Sequence, residues 1–196
     1  MDVLREHASG RAAIRRGRWE SILALVAAAA LLFLVHRFVI QVFTVSSGSM
    51  QPALLPRDSV LVNRLAYRLH PPRRGDIIVF RFPQADGREF VKRVIGLPGD
   101  VIEEQGGRVY VGGRSMALAD KTGSSQEAEP VMTIAPHQIP PGQLFVLGDN
   151  QAASLDSRYW GTVDIHRVIG KAFVVYWSHG KHWWEVRWRR IGRWLP

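Results

Sequence analysis

EFVKRVIG, residues Glu89–Gly96, is a run of β-branched and aromatic side chains interrupted by Lys92 and Arg93. Such a run, bounded by glycine and proline, predicts a strand. The same texture recurs on both sides. DIIVFRF (Asp76–Phe82) and SVLVNRL (Ser59–Leu65) precede it. DVIEEQGGRVYVGG follows and reads as a hairpin turning at Gly106 and Gly107. QLFVLGD (143–149) and VIGKAFVVYW (168–177) complete the set. No strand–helix alternation and no internal repeat interrupts this pattern. The fold class it predicts is mainly β, a sandwich or irregular barrel. Residues 114–141 are polar and rich in glycine, serine and proline, the texture of a long surface loop.

The chain has 196 residues, enough for one medium domain plus an anchor. The formal net charge is +9, which suggests nucleic acid or an anionic membrane surface as neighbour. There is no cysteine, so disulfides, thiolate catalysis and cysteine-ligated metals are excluded. No H-E-x-x-H or other metal-ligand spacing occurs, and no cofactor is expected.

The most apolar stretch is ILALVAAAALLFLV, residues 22–35. It is short of the roughly 20 residues that span a bilayer. FVIQVF extends it to Phe43 past His36 and Arg37, and Arg37 can snorkel to the interface. Arg11, Arg15, Arg16, Arg18 and Trp19 flank its start. The expected organisation is a basic cytoplasmic segment (1–20), a single transmembrane helix (21–43) and an extracytoplasmic domain (44–196). A cleaved signal peptide is the alternative, but no A-x-A-like site follows. Residues 177–196 interleave five tryptophans with lysine and arginine. Membrane lipid is the expected partner of that stretch, against the plainer reading of a last strand with a solvated basic face. Nucleic acid is not expected beside an exported domain.

Catalysis without cysteine or metal points to serine with a base. His166, near Asp164, is the best histidine for a Ser-His-Asp arrangement. The lysines are more telling, because only Lys92, Lys121, Lys171 and Lys181 stand among 26 basic residues. Arginine stays protonated, whereas burial lowers a lysine pKa towards neutrality. Alternation places Phe90, Lys92 and Val94 on one face of the strand. A desolvated base and an edge-strand lysine that blocks aggregation fit that placement equally. Lys171 is the second choice.

Four stretches in order, SSGSMQPALLPRD, RRGDIIVFRF, FVKRVIGLPGD and LGDNQAASLDSRYWG, resemble the boxes of bacterial type I signal peptidases, which are membrane-anchored Ser–Lys endopeptidases. The resemblance runs from about Phe38 to Trp177. It implies a mainly β catalytic core beside one transmembrane helix in the bacterial plasma membrane. It implies Ser49 as nucleophile, Lys92 as general base, and Ser154 and Asp156 as residues that orient the lysine and brace the site. Ser47 would help form the oxyanion hole. Phe43, Val45, Met50, Leu54, Val79, Phe90 and Val91 would wall small apolar pockets. Arg93, Asp149 and Arg158 would be structural. The implied substrates are preproteins bearing signal peptides, cleaved through an acyl-enzyme.

Some positions depart from the family pattern. Ala53 stands where threonine is usual, PRD replaces x-G-D, and Gln151-Ala152-Ala153 replaces a polar, charged run. The last departure suggests a missing ion pair, its work passing to Asp149, Asp156 and Arg158. These changes leave room for a specialised peptidase acting on pilin or conjugative-transfer precursors. An inactive, membrane-anchored binding protein is the rival from another class.

Overall fold

The computed structural model describes residues 19–34, 38–82, 87–105, 108–116 and 135–196. The chain divides into two units, Met1–Ile40 and Gln41–Pro196. In the first, residues 19–34 are helical, with apolar side chains such as Leu23, Leu32 and Phe33 exposed. Among the described residues no helix is long and apolar enough to cross a membrane. The basic flank, His36 and Arg37 lie outside the described residues.

The second unit is built from two sheets. The larger contains β1 (Ile40–Thr44), β2 (Asp58–Asn63), β3 (Ile77–Arg81), β4 (Glu89–Gly96), β9 (Gln143–Leu147), β10 (Val163–Asp164) and β11 (Val168–Ser178). Its order is β1-β2-β11-β3-β4-β9-β10. The smaller contains β5 (Val101–Gln105), β6 (Arg108–Val111), β7 (Arg114–Ser115) and β8 (His137–Gln138), in the order β7-β6-β5-β8. Among the described residues it also holds two one-turn α-helices, Ala66–Leu69 and Ser157–Trp160, and three 3₁₀ turns, Gln151–Ala153, Ile165–Arg167 and Trp188–Arg190.

The expected strands recur with shifted ends, and one boundary needs correction. Ile40–Thr44, expected as the end of the anchor, is a sheet strand beside β2. IQVFT is β-branched and aromatic, and pairing satisfies its backbone groups better than solvent does. The expected loop 114–141 also contributes at its two ends, where β7 pairs with β6 and β8 with β5. Ile139 is buried, and residues 117–134 lie outside the described residues. The hairpin forms with Gln105 opposite Arg108, and its glycine pair also lies outside the described residues.

Period-two geometry sorts the core. Ile77 and Val79 of β3 join one cluster with Val45, Met50, Leu54, Val60 and Val175. Ile78 and Phe80 join another, with Val94, Leu144 and Val146, on the opposite face. A third cluster, around Ile102, Ile139 and Phe145, fills the space beneath the smaller sheet. β3 is therefore buried on both faces, which its unbroken apolar run requires.

Arg57 occupies the position where x-G-D would place glycine. Its φ is 69°, a left-handed conformation that costs a side-chain-bearing residue free energy. The backbone there is held by Arg57 N–H donating to Val45 O at 2.7 Å. Arg57→Gly is expected to raise unfolding free energy by about 1 kcal/mol, read as a higher urea midpoint with an unchanged slope.

Candidate active site

Two loops and one strand converge on a cleft. Ser49 lies in the turn that follows β1, Lys92 in the middle of β4, and Ser154 beyond the turn that follows β9. All three are about 95% buried. Lys92 Nζ donates to Ser49 Oγ at 2.8 Å and to Ser154 Oγ at 2.9 Å. The hydroxyls of Ser47 and Ser49 are 3.2 Å apart. β4 has neighbours on both sides, so Lys92 is not an edge-strand guard.

Among the described residues no carboxylate is hydrogen-bonded to the Lys92 amine. Burial pushes its pKa from the ordinary 10.5 down to about 8, against the carboxylates of Asp156 and Asp149, which favour the ammonium, and assisted by the Arg158 charge. Both carboxylates are committed elsewhere. Asp149 accepts from Arg93 Nε and Nη2, each at 2.7 Å. Asp156 accepts from Arg158 Nε at 2.8 Å and from the Gly148 N–H at 3.1 Å. Gln151, Ala152 and Ala153 offer no charge for an ion pair, and Asp149, Asp156 and Arg158 take part in the bracing, each of Arg93 and Arg158 holding an aspartate in a two-nitrogen contact. In place of the charged run, Gln151–Ala153 forms a single 3₁₀ turn, and Arg158 Nη2 donates to Gln151 O at 2.7 Å.

Gly148 was not singled out as a site residue, yet the site closes around it. A Cβ there would collide with Ser154 Oγ and with the Ser49 carbonyl oxygen. Only glycine lets the two serine loops approach, and its signal in the sequence is the LGDN stretch. Asn150 clamps the same junction, its N–H donating to Ser49 O at 3.0 Å and its side-chain amide to Gly48 O at 3.3 Å.

The cleft has a volume of about 250 Å³ and is lined by Phe43, Phe90 and Val91, as expected. Ser46, Glu89, Ala153 and Leu155 also line it and were not anticipated. Val45, Met50, Leu54 and Val79 do not line it. They are at most 1% exposed and close the core beneath the serine loop. The apolar residues nearest Ser49 in sequence are needed to anchor its turn, which takes them away from the cleft.

The other candidates are used differently. Lys171 Nζ is paired with Asp76 at 2.7 Å. His166 is exposed, and Asp164 accepts from its backbone N–H at 2.7 Å rather than from its ring. Among the described residues no group of three histidine, aspartate or glutamate side chains could hold a metal.

Residues 18–177 match the family described as Signal peptidase, peptidase S26. A probable signal peptidase I-2 of Synechocystis sp. is 37% identical over 158 residues, 78% of this chain and 70% of that protein. A signal peptidase I of Bacillus caldolyticus is 37% identical over 176 residues, covering 83% of this chain and 92% of that one. A crystal structure of an Enterococcus faecalis signal peptidase I aligns with 35% identity and a TM-score of 0.44, over 51% of this chain and 95% of that one. The chain belongs to the signal peptidase family, peptidase S26. It is a serine endopeptidase that removes signal peptides from precursor proteins.

A lowered lysine pKa ties stability to pH. Below about pH 8 the folded protein buries an ammonium ion at a cost. Between about 8 and 10.5 the folded amine is neutral while the unfolded one still binds a proton, so this group makes stability rise with pH. Lys92→Met is expected to be more stable than the wild type at pH 7, by on the order of 2 kcal/mol. That advantage should shrink across the same window, as read by denaturant melts at several pH values.

Proposed function

We propose that hydrolysis runs through a Ser49–Lys92 dyad and an acyl-enzyme. The observation that carries this reading is the buried Lys92 amine, 2.8 Å from Ser49 Oγ and 2.9 Å from Ser154 Oγ. Neutral Lys92 accepts the Ser49 proton as Oγ attacks the scissile carbonyl carbon. The resulting oxyanion is stabilised by the Ser47 hydroxyl and the Ser49 backbone N–H. As the tetrahedral intermediate collapses, the ammonium returns the proton to the departing amine, which leaves with the mature protein. Neutral Lys92 then activates water to hydrolyse the ester and free Ser49. Ser154 holds the amine in register with Ser49, and Asp156 with Arg158 braces its loop.

The cleft between Phe43, Phe90 and Val91 takes small side chains before the cut. Its volume of about 250 Å³ falls below the roughly 300–1,000 Å³ of small-molecule sites. The protein acts at the bacterial plasma membrane, with the apolar segment near the N-terminus as anchor, the N-terminus cytoplasmic and the catalytic unit outside. The apolar run, its basic flank and the exposed tryptophans Trp183, Trp184, Trp188 and Trp194 support this placement.

In detergent, the wild type should cleave a preprotein at its signal-peptide junction, with kcat/KM rising through about pH 8 as Lys92 loses its proton. Ser49→Ala and Lys92→Ala should each lose at least about 100-fold in kcat, and His166→Ala should cleave normally. Normal cleavage by Lys92→Ala, or loss in the histidine variant alone, would discard the dyad. For the lipid contact, serine in place of Trp183, Trp184 and Trp188 together should weaken binding of the unit to phosphatidylglycerol vesicles. Unchanged co-sedimentation would remove the tryptophans from the membrane contact.

A further inference from the structure

Residues beyond 177 lie outside the family match, yet they reach the turn that carries Ser49. Asp58 has no solvent exposure. Its carboxylate accepts from Arg190 Nη2 at 2.6 Å, Ser178 Oγ at 2.6 Å and the Leu55 N–H at 2.9 Å. Arg190 Nη2 also donates to Ala53 O at 2.9 Å, and Arg187 Nη1 to Pro56 O at 3.1 Å. Two arginines from the last stretch thus hold two carbonyls of the segment that follows Ser49 and Met50. The same segment is fastened below by Met50 and Leu54, both fully buried, and by the Leu54 N–H donating to Met50 O.

We infer that Arg190 is a positioning residue for catalysis: through Asp58 and Ala53 it sets the height of the Ser49 turn against Lys92. The inference rests on the Ser49–Lys92 reading. The physical demand is severe. The Ser49–Lys92 hydrogen bond joins two elements that are not neighbours in sequence, and one end of it sits on a turn with no regular backbone pairing of its own. A guanidinium supplies the needed clamp, because its planar fork satisfies a carboxylate and a carbonyl at once. Lysine places the charge there without the fork.

The test uses the full chain in detergent, comparing wild type, Arg190→Ala, Arg190→Lys and Val109→Ala. Val109 is buried beneath the smaller sheet, so its truncation lowers stability without touching the turn. Two readouts are taken: kcat and KM on a preprotein, and amide hydrogen exchange of residues 46–58. Both Arg190 variants should lose about 10- to 100-fold in kcat, with KM within about twofold. Exchange in 46–58 should accelerate in both and stay at the wild-type rate in Val109→Ala. Added guanidinium ion should restore part of the Arg190→Ala rate and none of the Val109→Ala loss. Arg190→Lys keeps a cation beside Asp58, so it reports even if the alanine variant does not fold. Wild-type exchange in 46–58 of Arg190→Lys, or a kcat loss no larger than that of Val109→Ala, overturns the inference. If cleavage instead survives Lys92→Ala, the dyad fails, and the exchange readout still decides whether Arg190 holds the turn.

Discussion

A buried lysine amine whose proton is loosened by desolvation is the constraint on which this structure depends. Lys92 projects from an interior strand into a cleft where, among the described residues, its hydrogen-bond partners are serine hydroxyls. A carboxylate in contact would hold the proton on and raise the pKa again. Two aspartates lie near enough to act on it electrostatically, and each is occupied by an arginine. The ion pairs therefore brace the loops and also keep carboxylates from the lysine. Replacing Arg93 or Arg158 would disturb the charge state of the site as well as its shape.

The two serine loops meet at Gly148 with no space left for a side chain. The neighbouring stretch Gln151-Ala152-Ala153 is braced in another way. The turn those residues form is held through the Gln151 carbonyl by Arg158. A backbone contact does not depend on side-chain identity, so the charged residues usual there are dispensable for bracing. The Arg57 position shows the reverse case, where the backbone conformation persists and an unfavourable residue type is carried in it.

The last stretch shows how one composition serves two physical tasks. Arg187 and Arg190 turn inward to the carbonyls and carboxylate of the 53–58 segment, while Trp183, Trp184, Trp188 and Trp194 remain exposed. Leu195 enters the core cluster that holds Met50 and Leu54. The reading of this stretch as a solvated basic face therefore holds for part of it only. Arginine stems and forks suit burial against carbonyls, and nothing in the spacing of the residues distinguishes those arginines from exposed ones.

Sequence alone determined the β class, because period-two runs bounded by glycine and proline are local signals that burial then enforces. It also brought forward Lys92 as one of four lysines in an arginine-rich chain, and through four ordered boxes it implied Ser49, Ser154 and Asp156. Other features depend on contacts between residues far apart in the chain, and only the tertiary structure decided them. Ile40–Thr44 became a strand because β2 was there to pair with it. Val45, Met50, Leu54 and Val79 went into the core, since the Ser49 turn needed an anchor, and Glu89, Ala153 and Leu155 came to line the cleft. Arg190 found Asp58 across 132 residues of chain. Periodicity records which face of an element is apolar, but which partner covers that face is settled only when the elements pack.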